Sequence, residues 1–196
     1  MDKNEILIAL EPVVKALDEF SIGYFIGGSI ASSAYGIARA TMDVDMILNI
    51  APFQVKPFVD KLKGEYYIDI EMINDALVNK SSFNILHLDS MLKIDFFILK
   101  DQTYPLNSFQ RRIQSSLNDS DDSIKVFLSS PEDIIISKLE WFKLSDESSE
   151  RQWSDILGVV KVQKNNLDKE YLKHWAIQLD LFSLLQKAFE QSEESL

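Results

Sequence analysis

Two aspartates interrupt an apolar segment, residues 42–50, whose pattern otherwise predicts a β-strand. Asp43 and Asp45 are two positions apart, and side chains at i and i+2 of a strand point to the same face. Asp is depleted in strands, and two carboxylates on one face repel each other unless a cation or several donors hold them. Mg²⁺ takes such oxygen ligands together with substrate phosphates. The pair therefore indicates a Mg²⁺ site, although a solvated strand edge or a pair that caps a turn would give the same pattern.

A glycine pair, Gly27 and Gly28, stands between a predicted short strand and a predicted helix that Ser29 would cap. Glycines at such a turn let the backbone approach a ligand closely. The start of the helix also offers free N–H groups and a positive dipole end, which suit phosphate. Arg39 and Thr41 follow shortly before the aspartates. These residues predict a nucleotide-binding site; the alternative is that the turn needs its glycines for steric reasons alone.

A third aspartate, Asp95, lies inside another apolar run, residues 92–99, which predicts a further strand. An unpaired buried carboxylate is costly, so Asp95 needs a partner. One interpretation is a structural salt bridge to a basic residue nearby. The other is that Asp95 joins Asp43 and Asp45 across adjacent strands and completes the carboxylates of a catalytic site.

The second half of the chain places a lysine in an apolar context. Lys138 lies four residues after Ile134 and four before Phe142, within the apolar stripe of a predicted helix. A lysine there must extend to solvent or meet an anion, and we expect a nucleotide phosphate to be that anion. Asp155 lies four residues after Arg151, and the favoured interpretation is an ordinary surface ion pair between the two.

The elements that must position these residues change character near Ser130. Before it, strand and helix patterns alternate and predict an α/β fold class. Ser130 as N-cap and Pro131 at the first helical position then begin a purely helical part. The predicted strands are residues 24–26, 42–50, 67–70, 83–88, 92–99 and 124–128, with polar connections that include residues 118–122. The predicted helices are residues 3–20, 29–35, 52–62, a short one after residue 70, 131–143, 150–164, 168–179 and 181–191. Two domains follow, residues 1–129 and 130–196.

The composition restricts the class of protein. The 196 residues are 46% hydrophobic and 26% charged, as in an ordinary globular protein. A net charge of −11 counts against broad binding to nucleic acid, which needs Lys and Arg to neutralise phosphates. The absence of cysteine excludes disulfides and thiolate metal sites. The sequence begins without a signal-peptide pattern and has no long apolar run, so we expect a cytoplasmic protein without a membrane span.

The motifs of the first half occur in a characteristic order. The segment 27–29 is followed, after thirteen residues, by the acid–hydrophobic–acid strand at residues 43–45, and Asp95 lies on a later strand. This arrangement resembles the DNA polymerase beta-type nucleotidyltransferase superfamily over about residues 1–100. The resemblance implies that superfamily's fold, a mixed-sheet core to which a helical module is attached at the C-terminus.

The second half resembles a narrower branch of that superfamily. It is the branch of the nucleotidyltransferases of bacterial abortive-infection and toxin–antitoxin systems and their uncharacterised relatives. There, a Ser-Pro-Glu-Asp helix start carries a lysine and a later helix carries an aspartate. Here residues 130–133 lead to Lys138, and Asp155 lies on the next predicted helix.

The resemblance implies an enzyme that uses Mg²⁺ to transfer a nucleoside monophosphate from a nucleoside triphosphate to a hydroxyl acceptor. Asp43 and Asp45 would bind the metal, and Asp95 would orient or deprotonate the acceptor hydroxyl or share a second metal. The implied nucleotide-binding residues are Gly27, Gly28, Ser29, Arg39, Thr41 and Lys138. The acceptor would be tRNA, a protein or a small molecule, and an antitoxin is a candidate partner. The alternative is a catalytically silent nucleotide-binding or partner-binding module of the same fold.

Overall fold

A computed structural model describes residues 3–41, 43–116, 124–194 and 196 of the chain. The chain divides into two compact units. The first unit comprises Met1–Gly27 and Ala40–Leu128, and the second comprises Gly28–Arg39 and Ser129–Leu196. The segment Gly28–Arg39 therefore groups with the C-terminal helices, from which it is distant in sequence. The two predicted domain ranges, 1–129 and 130–196, stay a prediction.

The helices and strands are numbered along the chain. Within the described residues they are α1 (Lys3–Glu19), β1 (Gly23–Ile26), α2 (Gly28–Tyr35), β2 (Asp43–Asn49), α3 (Pro52–Leu62), β3 (Tyr66–Tyr67), α4 (Ile70–Asn79), β4 (Ser82–His87), β5 (Lys93–Ile98), α5 (Thr103–Gln110), β6 (Ile113–Ser116), β7 (Lys125–Leu128), α6 (Pro131–Leu144), α7 (Glu150–Gln163), α8 (Lys169–Gln178) and α9 (Phe182–Gln191). Among these described elements, no helix is both long enough and apolar enough to cross a membrane.

All the strands of the described residues belong to one mixed sheet in the first unit, in the order β3-β4-β5-β2-β1-β7-β6. The pairs β2–β5 and β1–β7 are parallel, and the other neighbours are antiparallel. Strand β2 alternates strictly: Val44, Met46 and Leu48 are buried, whereas Asp43 and Asp45 on the other face are partly buried. The predicted mixed α/β fold is confirmed.

Helices cover both faces of this sheet. On the face opposite the aspartates, the rings of Phe58 in α3 and Phe96 in β5 meet edge-on, 6.2 Å apart. On the aspartate face, Phe109 of α5 packs with Phe25 and Leu99, and Ile47 joins the same cluster. Because Ile47 lies two residues after Asp45, α5 covers this face only beyond the aspartates. The aspartates themselves stay partly accessible.

The second unit consists of α2 and the helices from α6 onward. Its helix α6 begins as predicted, because the hydroxyl of Ser130 accepts a hydrogen bond from the amide of Asp133 at 3.1 Å. Gly36 ends α2 against α7, where a Cβ atom on Gly36 would lie 2.8 Å from the amide nitrogen of Val159. A glycine is therefore required there for close approach of the two backbones.

Three sequence predictions need correction or comment. The strand predicted at residues 67–70 ends at Tyr67, because the side chain of Asp69 accepts from the amides of Glu71 and Met72 and begins α4. The sequence predicts only a polar connection between the strands at residues 92–99 and 124–128, whereas the structure has α5 and β6 there. The predicted loop at residues 118–122 lies outside the described residues.

Candidate active site

The three candidate carboxylates of the first unit lie on the two parallel strands β2 and β5. In the register of this pair, Asp45 stands opposite Asp95, and Asp43 stands opposite Lys93. Each pair of residues two apart faces the same side of its strand. The strand pairing therefore places Asp43, Asp45 and Asp95 together with Lys93 on one face of the sheet. The same pairing puts Asp95 beside the aspartates of β2. This agrees with the sequence interpretation in which Asp95 joins Asp43 and Asp45 across adjacent strands.

The other interpretation of Asp95 is a structural salt bridge, and the structure contains this salt bridge as well. The ammonium of Lys93 lies 2.7 Å from Oδ2 of Asp95, with side-chain exposures of 49% and 18%. The pKa of Lys93 is raised, first by this hydrogen bond against a smaller effect of burial, and further by the charges of Asp95, Asp43 and Asp45. Sequence reasoning missed Lys93, although its spacing of two from Asp95 was the available signal.

Thr41 holds one of the carboxylates in place. Its hydroxyl donates to Oδ1 of Asp43 at 2.7 Å and lies 3.2 Å from the carbonyl oxygen of Asp43. A carboxylate that accepts such a bond is limited in its rotation, as is usual for ligands that bind a metal. The structure therefore connects Thr41, predicted as a nucleotide-binding residue, with the orientation of Asp43.

The residues on this face fit a particular kind of metal site. In the parts of the chain that the structure describes, no three His, Cys, Asp or Glu side chains converge as a ready-made metal cage. Mg²⁺ commonly binds through one or two carboxylates and completes its octahedron with water and substrate phosphates. The ammonium of Lys93 contacts Asp95, and the charges of all three aspartates contribute to its raised pKa, so this face favours a cation. The residues therefore fit a Mg²⁺ ion bound by Asp43 and Asp45 together with a nucleotide.

The two glycines Gly27 and Gly28 follow β1 directly in the chain. The amide of Gly27 donates to the carbonyl oxygen of Asp45 at 2.9 Å, which fixes the end of β1 beside β2. Gly28 has a φ of 52°, in the left-handed region that favours glycine. Helix α2 begins at Gly28, so Ser29 lies inside its first turn and not ahead of it as the predicted cap.

In the second unit, Ser29 belongs to a polar cluster centred on Asp155. The guanidinium of Arg39 donates to both carboxylate oxygens of Asp155, at 2.8 and 2.9 Å, and also to the hydroxyl of Ser29. The prediction of a surface pair between Asp155 and Arg151 is wrong, because the side chain of Asp155 is only 5% exposed and binds Arg39.

Lys138 completes this cluster. Its ammonium lies 2.8 Å from Oδ2 of Asp155 and donates to Oε1 of Gln152 at 2.9 Å, and its side chain is 4% exposed. Burial raises the pKa of Asp155, but the hydrogen bonds from Arg39 and then Lys138, with their charges, leave it below the ordinary value. The anion that the sequence required for Lys138 is thus supplied by Asp155, and a phosphate contact of Lys138 stays a prediction.

Comparison with solved structures identifies the fold. The chain matches the antibiotic-resistance factor ANT(2'')-Ia with a TM-score of 0.53 and 15% identity, over 98% of this chain and 97% of that one. A second structure of ANT(2'')-Ia, in complex with adenylyl-2''-tobramycin, gives a TM-score of 0.54 and 13% identity over 94% and 99%. The lincosamide antibiotic adenylyltransferase LnuA, bound to lincomycin, gives 0.51 and 15% over 79% and 96%. The chain has a nucleotidyltransferase fold.

The likeness at this level of identity concerns the fold alone. No protein-family model matches the chain, and a search of curated proteins finds no match. The resemblance of the second half to the abortive-infection branch therefore stays a prediction. The functional assignment depends on the side chains just described.

Proposed function

We propose that this protein is a Mg²⁺-dependent nucleotidyltransferase that transfers a nucleoside monophosphate from a nucleoside triphosphate to a hydroxyl group. The observation that carries the proposal is the strand register that puts Asp45 beside Asp95, with Asp43 on the same face. Three carboxylates on one partly accessible face repel one another, and a divalent cation would offset this repulsion more fully than the single charge of Lys93 does. The shared fold with an adenylyltransferase supports the same reaction class.

In this proposal the carboxylates of the first unit have separate roles. Asp43, oriented by Thr41, and Asp45 would bind the metal. Mg²⁺, when bound, supplies positive charge that neutralises the triphosphate and the departing pyrophosphate. Asp95 accepts the proton of the acceptor hydroxyl. The oxygen then forms a bond to the α-phosphorus, and the bond from that phosphorus to the pyrophosphate breaks.

The nucleotide contacts are proposed from the polar cluster of the second unit and the glycine turn. Arg39 is the better candidate for a phosphate contact, since its side chain is 27% exposed while that of Lys138 is 4% exposed. Asp155 would then hold the guanidinium of Arg39 in a fixed orientation. Gly28 keeps its role as the turn residue whose backbone lets a phosphate approach.

For the acceptor we favour a small hydroxylated molecule over tRNA or a protein. The structures with the same fold contain lincomycin and adenylyl-2''-tobramycin, which are small molecules. The net charge of −11 also disfavours a large polyanionic acceptor such as tRNA. A toxin role and an antitoxin partner rest only on the resemblance of the second half.

The experiment is a transfer assay with each α-labelled nucleoside triphosphate and Mg²⁺. Lincomycin, tobramycin, total tRNA and a cell extract serve as acceptors in separate reactions. We expect a labelled small molecule and stoichiometric pyrophosphate, both lost on removal of Mg²⁺. Asp43→Asn, Asp45→Asn and Asp95→Asn should abolish transfer. Asp60→Asn, on the exposed face of α3, is the matched control and should retain it.

Calorimetry with Mg²⁺ and a non-hydrolysable triphosphate separates the alternatives. Binding that depends on Asp43 and Asp45, without transfer to any acceptor, would favour the catalytically silent module. Binding that is unchanged in both Asp→Asn variants would show that the metal assignment is wrong.

A further inference from the structure

Lys93 introduces one positive charge among the three negative charges of the carboxylate face. It stands opposite Asp43 in the register of β2 and β5, and its neighbour on the same face of β5, Asp95, stands opposite Asp45. The four side chains thus form two neighbouring cross-strand pairs, Asp43 with Lys93 and Asp45 with Asp95. The ammonium contacts Asp95 at 2.7 Å, and the charges of Asp43 and Asp45 also act on it.

This arrangement differs from an ordinary surface ion pair. A surface pair of one lysine and one carboxylate contributes little, because water screens both charges. Here the ammonium contacts Asp95, while the charges of Asp43 and Asp45 on the neighbouring strand also favour its charged form. Lys93 carries a long, flexible side chain that is half exposed, so its ammonium can leave the carboxylates without a change in the backbone.

We propose that Lys93 is the counter-ion of this carboxylate face when no metal is bound, and that it competes with the divalent cation for the carboxylates. The inference rests on the proposed function, since it assumes that Asp43 and Asp45 are the metal-binding residues. With a metal bound, the ammonium would no longer be held by Asp95, whose oxygens would then be available to the acceptor hydroxyl. Lys93 is therefore a positioning residue. It keeps the affinity for free metal low, so that the metal enters together with the nucleotide.

The experiment measures binding of Mn²⁺ alone, by electron paramagnetic resonance, to the full-length protein. Lys93→Met removes the charge, and Lys93→Arg retains it. The matched control is Lys61→Met, because Lys61 pairs with Glu19 in the same unit and has a side-chain exposure of 48%, against 49% for Lys93. We expect Lys93→Met to bind Mn²⁺ about tenfold more tightly than the wild type. Lys93→Arg and Lys61→Met should bind Mn²⁺ as the wild type does.

A second measurement reports on the protein without metal. In the presence of a chelator, Lys93→Met should unfold at a lower temperature than the wild type, because the three carboxylates lose their cation. Saturating Mn²⁺ should raise the melting temperature of Lys93→Met by more degrees than it raises that of the wild type. Lys93→Gln, which keeps a polar side chain, is the second uncharged variant and should behave in the same way.

The outcomes distinguish this inference from the proposed function. If Asp43→Asn abolishes Mn²⁺ binding while Lys93→Met binds like the wild type or more weakly, the counter-ion role is wrong and the metal site stands. If Mn²⁺ binding is absent even in Lys93→Met, or if adding Asp43→Asn to that variant leaves its Mn²⁺ binding unaffected, both proposals fail together. If Lys93→Met binds Mn²⁺ more tightly than the wild type, and the double variant with Asp43→Asn does not bind it, both the proposed function and the counter-ion role are supported.

Discussion

Arg39 and Asp155 are 116 positions apart in the sequence, yet the guanidinium of one donates two hydrogen bonds to the carboxylate of the other. Lys138 contacts the same carboxylate at 2.8 Å. One buried anion therefore organises two cations that come from different parts of the chain. The consequences of this arrangement for stability can be measured independently of any activity.

Asp155→Ala should lower the free energy of unfolding by about 3–5 kcal/mol, because two cations would then lose their buried anion. Chemical denaturation of both proteins measures the difference. Asp60→Ala is the control: Asp60 also contacts two lysines, Lys56 and Lys63, but on an exposed helix surface, so little change is expected. A loss below about 1 kcal/mol for Asp155→Ala would contradict the importance of the buried cluster.

The contribution of Asp155 should depend on pH in a defined direction. Its pKa is lower in the folded protein than the ordinary value of 3.8, so the unfolded chain binds the proton more readily. The difference in unfolding free energy between the wild type and Asp155→Asn should be constant near neutral pH and shrink below about pH 4. Denaturation curves between pH 7 and pH 3 test this. A difference that increases on acidification would contradict the assignment.

Lys138→Met should destabilise the protein by about 1–3 kcal/mol, less than Asp155→Ala, since Arg39 still neutralises the carboxylate. The exposed Lys161 of α7 provides the control substitution, Lys161→Met, which should be close to neutral. Triphosphate affinity measured on the folded Lys138→Met protein also tests the sequence prediction. A decrease of about 1.5–3 kcal/mol indicates a phosphate contact, and an unchanged affinity removes Lys138 from the nucleotide site.

Gly28→Ala should cost about 1–2 kcal/mol of stability, because an L-residue is strained at a φ of 52°. The same substitution at Gly64 is the control, since a Cβ atom there would meet nothing within 4 Å. Gly64→Ala should be neutral or slightly stabilising. Gly28→Val should in addition lose triphosphate binding, measured by calorimetry. A Gly28→Val protein that folds and binds normally would show that the glycine has no role in binding.

Thr41→Val should leave stability nearly unchanged but weaken binding of the Mg²⁺–triphosphate complex by about tenfold, because Asp43 loses the hydroxyl that orients it. Thr41→Ser keeps the hydroxyl and should bind like the wild type. Calorimetry of the two variants side by side gives the comparison. Equal affinities for Thr41→Val and Thr41→Ser would exclude an orienting role.

Much of the fold was predictable because local signals agree with the tertiary structure. The helices predicted at 131–143 and 181–191 end within one residue of α6 and α9. Helix α5 was not predicted. It is short, contains Pro105 and several polar residues, and buries only a few side chains, among them Tyr104 and Phe109. Such a segment has no clear helical periodicity, and its packing on the sheet decides its conformation.

The residues of the candidate site were predictable where they are close in sequence or interrupt the apolar pattern of a strand. The aspartates of β2 stand out because carboxylates interrupt an apolar strand, and Asp95 stands out for the same reason. The sequence predicts the wrong partner for Asp155, because it shows only Arg151 at i−4. The tertiary fold brings the true partner, Arg39, to Asp155. The sequence marks Lys93 only by its spacing of two from Asp95, whereas its position opposite Asp43 arises from strand pairing.

The grouping of Gly28–Arg39 with Ser129–Leu196 has a consequence for biosynthesis. A nascent chain generally folds in the order in which it leaves the ribosome. Helix α2 is translated early, but the helices of its own unit that it packs against, α6 and α7, are translated late. The second unit therefore assembles only when translation is almost complete. A fragment that starts at residue 129 lacks α2 and the guanidinium that Asp155 binds, so we expect it to be less stable than the complete unit.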